Sequence, residues 1–376
     1  MQENKQQPIR ILQVFAGMNK GGAETMIMTY YRNIDRSKIQ FDFIVHTDKE
    51  CAFDKEIEKL GGKIFRFPRY IILNHFSYQR KWKQFLLQHP EYKIIHGHFF
   101  TISAIYFQVA KRLGETCIAH SHISKLFNNT LIERIKFNLF IEPLRNLAHY
   151  HLACSTDAGE WMYGKSILKE RTFFVMNNAI DAGKFVFDSH ARDKIRDELN
   201  LKDKFVVGHI ARFTYQKNHV FLIDIFHEII KQKPNAILLL VGDGDLKDEI
   251  IKKVERLNLQ HAVLFTGVRN DIPQLLSAMD IFLFPSRYEG LGIVLIEAQT
   301  SGLKSFTSAN VVPLEAKVTD LLHFVPLSEG AKAWSDQICA MGASYERCNR
   351  YDEIKENGYD ILTNITWLEQ FYLSIK

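Results

Sequence analysis

Seven short runs of aliphatic and aromatic residues, from IRILQVF at residues 9–15 to TFFVMNN at 172–178, alternate with segments of helix length. Six more follow from KFVVGHIARF at 204–213 to LLHFVPL at 321–327. Runs that stay apolar at consecutive positions and are bounded by Gly, Asp or Ser read as strands buried on both faces. Such strands alternating with helices predict an α/β fold of open parallel sheets, covered by helices on each side. The series breaks once. DAGKFVFDSHARDKIRDELNLKDK, residues 181–204, is charged and carries no strand-like run before Phe205. A chain of 376 residues also exceeds the size at which one core keeps growing. Two doubly wound domains are therefore expected, 1–185 and 186–357, with a helical tail at 358–376 after Gly358. Domains of this kind that face one another form a cleft at the carboxyl ends of their strands, where such sheets bind ligands.

Composition removes several function classes. Hydrophobic residues make up 46% and charged residues 24% of the chain, a globular balance, and the net charge of +5 comes without the Lys and Arg tracts of a nucleic-acid binder. Residues 59–90 are the uneven part, with Lys59, Lys63, Arg66, Arg69, Arg80, Lys81 and Lys83, no acid, and seven interleaved aromatics. Two readings stand side by side there: peripheral contact with an anionic membrane, or a solvated face whose aromatics pack inward. Five scattered cysteines without metal-type spacing suit a reducing cytoplasm. The polar start runs directly into a strand, unlike a signal peptide, and no window reaches the roughly 18 apolar residues of a membrane span.

FPSRYEGLGIVLIEAQTSGL, residues 284–303, places Glu297 inside an apolar helical run, where an unpaired charge is costly. Glu289 stands eight residues earlier, beyond Gly290 and Gly292. The free amides of Gly290, Leu291, Gly292 and Ile293, at the positive end of a helix, favour an anion. Glu297, one turn further, is placed to accept hydrogen bonds from ribose hydroxyls, as the acid of dinucleotide sites does. A bond to a core lysine or a backbone donor is the alternative. In GHIARFTYQKNH, Arg212 as a fork and Lys217 as a point charge lie at the end of another strand and suit a diphosphate without a metal. Near the start, Gly21 and Gly22 open a helix, either as amide donors to a phosphate or sugar or as a plain tight turn. Histidines alternate at two strand ends, His96 with His98 and His120 with His122, and His122 is chosen for a hydrogen-bonding role toward a ligand. Asp243 and Asp245 in VGDGDLKDE imitate a metal-binding Asp-x-Asp, but Asp245 as an N-cap, with Asp248 three residues on, explains them locally.

These residues resemble the retaining glycosyltransferases of family 4, which have the two-domain GT-B fold. Glu289 and Glu297 match that family's E-x₇-E signature, Arg212 and Lys217 its diphosphate-binding pair, and GGAE at 21–24 its N-terminal glycine loop. ACSTDAGEWMYG at 153–164, NNAID at 177–181 and NGYDI at 357–361 are similar to the branch that builds bacterial capsular and extracellular polysaccharides. Ala179 and Gly292 depart from the usual Gly and Pro, and neither departure removes a charged group.

The resemblance implies transfer of a sugar, with retention, from a nucleoside diphosphate donor, UDP-linked, to a saccharide or lipid-linked saccharide, with no metal or other cofactor. It puts Glu289 on sugar hydroxyls, Glu297 on the ribose, His122 beside the reacting carbon, and the tail back on the N-terminal domain. Two rivals share the scaffold: a sugar-nucleotide epimerase, and a binding subunit that performs no chemistry.

Overall fold

The computed structural model describes residues 7–98, 102–122, 131–341 and 345–375, with the side chains of 131–138 excepted. The chain divides into two compact units. One comprises Met1–Ala179 with Ile361–Lys376, and the other comprises Ile180–Asp360.

The first unit holds strands β1 (Ile9–Phe15), β2 (Ile39–Val45), β3 (Ile64–Arg66), β4 (Ile94–Gly97), β5 (Thr116–Ser121), β6 (Tyr150–Ala153) and β7 (Phe173–Val175). They form one parallel sheet in the order β3-β2-β1-β4-β5-β6-β7. The second unit holds β8 (Phe205–Ile210), β9 (Ala236–Val241), β10 (Val263–Gly267), β11 (Ile281–Phe284), β12 (Ser305–Ser308) and β13 (Leu322–Val325), in the order β10-β9-β8-β11-β12-β13. Both sheets are doubly wound, and each of the thirteen expected runs supplies a strand.

The apolar runs are continuous because each sheet is covered on both faces. Ile11 packs into one cluster with Phe41 and Phe43, while its neighbour Leu12 joins Ile44 and Trp82 in the cluster on the opposite face. In the second unit Leu238 and Leu240 face one core, and Leu239 and Val241 the other. Fully burying one such side chain contributes about 1.5–3 kcal/mol, so a polar residue on these strands must be explained by its partners. Asp42, buried on β2, is held by Arg10 at 2.5 Å and by the hydroxyl of Tyr92 at 2.8 Å.

Strand order reverses beside β1 and β4 in the first sheet and beside β8 and β11 in the second. Loops leaving neighbouring strands at such a point diverge to opposite faces and leave a crevice. Helix Ile361–Ser374 packs on the first unit, burying Ile361, Ile365, Leu368 and Tyr372. Its Glu369 accepts from the backbone N–H of Asp35 at 2.8 Å, and Asn364 donates to Tyr30 at 3.2 Å.

Candidate active site

Loops leaving β8 and β11, which are paired, carry the charged residues singled out in the sequence. After β8 the chain passes Arg212 and makes one 3-10 turn, Tyr215–Lys217. After β11 it passes Arg287 and Glu289 before helix Ile293–Thr300. The two loops are stitched together. Gln216 Nε2 donates to the carbonyl of Tyr288 at 2.9 Å, the backbone N–H of Arg287 donates to the carbonyl of Gln216 at 2.8 Å, and Asn218 Nδ2 donates to that of Pro285 at 3.0 Å. Asn218 has φ 56°, a left-handed conformation that Asn tolerates better than most residues.

This stitching brings Lys217 Nζ to 2.5 Å from Glu289 Oε1, with the side chains only 19% and 6% exposed. Nζ also lies 4.7 Å from the centre of the Phe284 ring. A half-buried pair of this kind stays neutral as a unit, and removing either member strands the other. Arg212 differs: it is exposed, and its guanidinium has no hydrogen-bond or ion-pair partner among the described residues. One cation held in place and one free at the same strand ends suit a ligand group carrying two negative charges.

Gly292 begins the helix with φ 75°, and a Cβ there would lie 3.2 Å from Leu295 Cδ1 and 3.4 Å from Phe284 Cε1. The left-handed turn lets backbone rather than side chain face the ligand side, with no side-chain cap on the first amides. Gly290 has nothing within contact distance of a Cβ, so the approach to Leu291 and Ile293 is open there. Glu297 keeps intermediate exposure, yet no donor among the described residues bonds its carboxylate. Burial among its neighbours raises its carboxyl to about 7. Among the described residues it is an acid without a partner, unlike Glu289.

The Asp245 cap is not formed. Helix Lys247–Arg256 has Leu246 at its N-cap with no side-chain bond, while Asp243 accepts from the N–H of Gly244 at 2.9 Å. The glycines rather than the acids explain the motif. Gly242 has φ 135°, and a Cβ there would fall 2.0 Å from the carbonyl oxygen of Ala211, so this turn lies directly against the loop that carries Arg212. Local pattern favoured the cap, but a contact between loops decided the geometry. A broad depression elsewhere on the unit is lined by Lys184, Arg269, Asp271 and Pro273 and includes none of the residues discussed above.

In the first unit the predicted residues sit at the ends of β1, β4 and β5. Gly21 is the N-cap of helix Gly22–Asn33, and the carboxylate of Glu24 folds back over it: a Cβ on Gly21 would overlap Glu24 Oε2. This helix start is thus already faced by an acid. Gly22 is exposed with open space beside it.

His122 belongs to a network the sequence reading did not contain. Gln13, on β1 beside His96 on β4, orders two branches. Its carbonyl oxygen accepts from His98 Nε2 at 2.8 Å, which leaves His98 Nδ1 to accept from His122 Nε2 at 2.8 Å. Its amide donates to the Tyr372 hydroxyl at 3.2 Å, that hydroxyl donates to His96 Nδ1 at 2.6 Å, and His96 Nε2 donates to His120 Nδ1 at 3.2 Å. The branches end on a bare His122 Nδ1 and a His120 Nε2–H, both buried and without partners among the described residues. These two rings stack at 4.2 Å. Burial pushes His96 and His122 down to about 3, and burial with neighbouring imidazoles holds His98 and His120 well below the ordinary range, so all four are neutral. One acceptor and one donor form the complement of a hydroxyl. Nitrogens of His96, His98 and His120 lie within 4.8 Å of one another, but both nitrogens of His96 and of His98 are already engaged, and a metal would have to displace those bonds.

Two doubly wound units, the second with charged loops at its switch point, have the plan of the GT-B transferases of nucleotide-activated sugars. Comparison with known proteins gives the family. The profile described as Glycosyl transferases group 1 matches residues 191–357. The putative glycosyltransferase EpsF of Bacillus subtilis (strain 168) is 32% identical over 369 residues, covering 96% of each chain. An Escherichia coli UDP-Gal:alpha-D-GlcNAc-diphosphoundecaprenol alpha-1,3-galactosyltransferase is 29% identical over 230 residues, 59% of each chain. Among solved structures, HepE of Anabaena in complex with UDP superposes with a TM-score of 0.79 at 20% identity, over 97% of this chain and 100% of that one. The chain belongs to the glycosyltransferases related to bacterial capsular and exopolysaccharide enzymes, and it transfers a sugar from a nucleotide-sugar donor to an acceptor.

Proposed function

We propose that this chain is a retaining, metal-independent hexosyltransferase of family 4, which uses a UDP-linked donor and a saccharide or lipid-linked saccharide acceptor in surface polysaccharide synthesis. The observation that carries the reading is the Lys217–Glu289 pair beside Arg212 and Glu297, neither of which has a side-chain partner among the described residues. Lys217 and Arg212 take the diphosphate, and the amides from Gly290 to Ile293 take its remaining oxygens. Glu289, released from Lys217 as the cation turns to phosphate, takes sugar hydroxyls. Glu297 accepts the ribose hydroxyls. His122 is assigned to the reacting sugar, and Gly21 with Gly22 to the donor, by resemblance to the family.

In the transfer the bond between the anomeric carbon and the diphosphate oxygen breaks, and its electron pair leaves with the phosphate. The acceptor hydroxyl bonds to the same face of that carbon and passes its proton to the departing diphosphate. The sugar becomes oxocarbenium-like as charge gathers on the leaving group, and fixed cations and amides oppose that charge. No protein base is needed.

The named substrates of relatives support the acceptor class, because the Escherichia coli enzyme acts on a diphosphoundecaprenol-linked sugar. An acceptor of that kind lies in a bilayer, so the enzyme works at the inner face of the cell membrane. Among the described residues no helix is long and apolar enough to cross it.

The test is incubation with UDP-glucose, UDP-galactose and their N-acetyl forms, with and without polyprenyl-diphosphate-linked sugars. A new glycoside with the donor's anomeric configuration is the expected product. An epimerised nucleotide sugar would make the chain an epimerase, and binding without turnover would make it a scaffold.

A further inference from the structure

The stretch from Pro68 to Gln88 contributes nothing to the site described above, yet it exposes large apolar side chains close together. Helix His75–Gln88 buries Tyr78, Trp82, Phe85 and Leu86, spaced as one face of a helix. Its opposite face presents Phe76, Arg80, Lys83 and Leu87, also at helical spacing, to solvent. The turn leading into it adds Ile71, Ile72 and Leu73. Leu73 is 95% exposed, Phe76 82% and Ile72 70%. Single exposed apolar residues are ordinary, but four large ones within six positions are not.

The projection is built rather than frayed. Asn74 Oδ1 accepts from the backbone N–H of Ile71 at 3.0 Å, and its Nδ2 donates to the carbonyl of Arg69 at 2.9 Å. The carbonyl of Asn74 accepts from Ser77 Oγ at 2.9 Å, and Tyr70 meets His75 at 3.1 Å. One asparagine thus closes the turn from inside and leaves the three aliphatic side chains pointing away from the core. Trp82 stacks on Tyr106 at 4.6 Å and anchors the helix beneath.

Charge selects the occupant. Arg69, Arg80 and Lys83 are exposed, and none has an ion-pair partner among the described residues, whereas Arg66 is tied to Asp54 at 2.5 Å and Lys81 lies over Phe67. No acid occurs anywhere from residue 59 to residue 90. Apolar side chains flanked by unpaired cations complement a layer that is hydrocarbon below and anionic above. A protein partner would need acids to match the cations and a preformed hollow for four large side chains, while a fluid bilayer supplies both without shape.

We propose that the turn at Ile71–Phe76 is a wedge that enters the acyl boundary of an anionic bilayer, while Arg69, Arg80 and Lys83 hold the headgroups. The proposal deepens the reading of a lipid-linked acceptor and rests on it: the wedge keeps the enzyme where that acceptor lies.

The test is co-sedimentation of the full chain with vesicles of phosphatidylcholine alone and of phosphatidylcholine with phosphatidylglycerol in a two-to-one ratio. Binding is expected only to the anionic vesicles, and to weaken as salt is raised. The triple variant Arg69→Gln, Arg80→Gln, Lys83→Gln is expected to lose the anionic preference by roughly 100-fold. The variant Ile72→Ser, Leu73→Ser, Phe76→Ser is expected to lose vesicle binding by roughly 100-fold or more.

All six side chains are exposed, so both variants should keep the thermal midpoint and its upward shift with UDP. Equal binding of the wild type to both vesicle types, or unchanged binding of the Ser variant, overturns the proposal. So does a wild-type dimer, seen by light scattering, that ignores vesicles and that the Ser variant dissolves into monomers; the patch is then an interface between copies. Vesicle binding together with no transfer under any donor leaves the wedge standing and removes the transferase reading instead.

Discussion

The two units share a sheet plan and place their polar residues at the same point of it, yet the chemistry they collect there is opposite. At the reversal beside β8 and β11 the second unit gathers ionisable groups: Lys217 against Glu289, Arg212 exposed, and Glu297 with no partner among the described residues. At the reversal beside β1 and β4 the first unit gathers neutral rings, amides and hydroxyls, bonded to one another until one lone pair and one N–H remain. A fold that offers the same crevice twice does not dictate what enters it. Charge that must be neutralised calls for Lys and Arg, whereas the neutral groups of the first unit offer a hydroxyl one acceptor and one donor that salt does not screen.

The hardest blow to this division is Lys217→Ala. We expect kcat/KM to fall roughly 10²- to 10³-fold, with UDP affinity falling alongside. Glu289→Ala should cost a similar factor in kcat while UDP affinity holds. Near-normal turnover in both variants would refute the roles given to the pair.

Next in size is the pH behaviour of Glu297. Burial raises its carboxyl from 4.5 to about 7 in the folded chain. Between those values the folded protein holds a proton that the unfolded chain has lost, so this group's contribution to stability falls as pH rises and levels off above 7. Glu297→Gln removes that loss, and its stability relative to wild type should rise across the same window by about 3 kcal/mol, read by urea melts. Ribose hydroxyls donating to the carboxylate favour its ionised form, so UDP binding near pH 6 should release a proton, measurable by calorimetry in buffers of different protonation enthalpy. A flat pH difference would sink the unpartnered-acid description.

A smaller effect sharpens the other side of the comparison. Gln13→Leu cuts both branches of the histidine network, and turnover should fall about 10-fold through lost orientation while UDP affinity stays unchanged. A fall in UDP affinity would mean that the two units do not divide the work in this way. Arg212→Ala, which breaks no side-chain bond among the described residues, should weaken UDP by about 10-fold without moving the thermal midpoint. Smallest of all, Asp245→Ala should change stability by less than about 0.5 kcal/mol, and activity should survive both that change and chelation by EDTA. Loss of activity in either case would restore the Asp-x-Asp reading.

Much of this was legible from residues alone. IRILQVF, AILLLV and DIFLFP announce strands because covering both faces of a sheet leaves no place for alternation. Glu297 stood out because an acid in an apolar helix must be costly or useful. What escaped was contact across the sequence. Nothing local pairs Lys217 with Glu289, 72 positions away, or ties His96 to Tyr372, 276 positions away. The Asp245 cap failed for the same reason, since the turn is shaped by Ala211, which its own segment does not contain. His122 was chosen as a single residue, whereas its properties come from Gln13 and His98.

The division of the chain also has a consequence for how it is made. Residues 180–360 form an uninterrupted unit that can close as soon as it clears the ribosome, but the first unit lacks Ile361, Leu368 and Tyr372 from its core until the chain beyond them is synthesised. The part translated first is therefore finished last, because its core includes side chains that follow the whole of the second unit in the chain. Chains ending at residue 360 and released from the ribosome should show a protease-resistant second half attached to a vulnerable first half, the reverse of the order in which they were written.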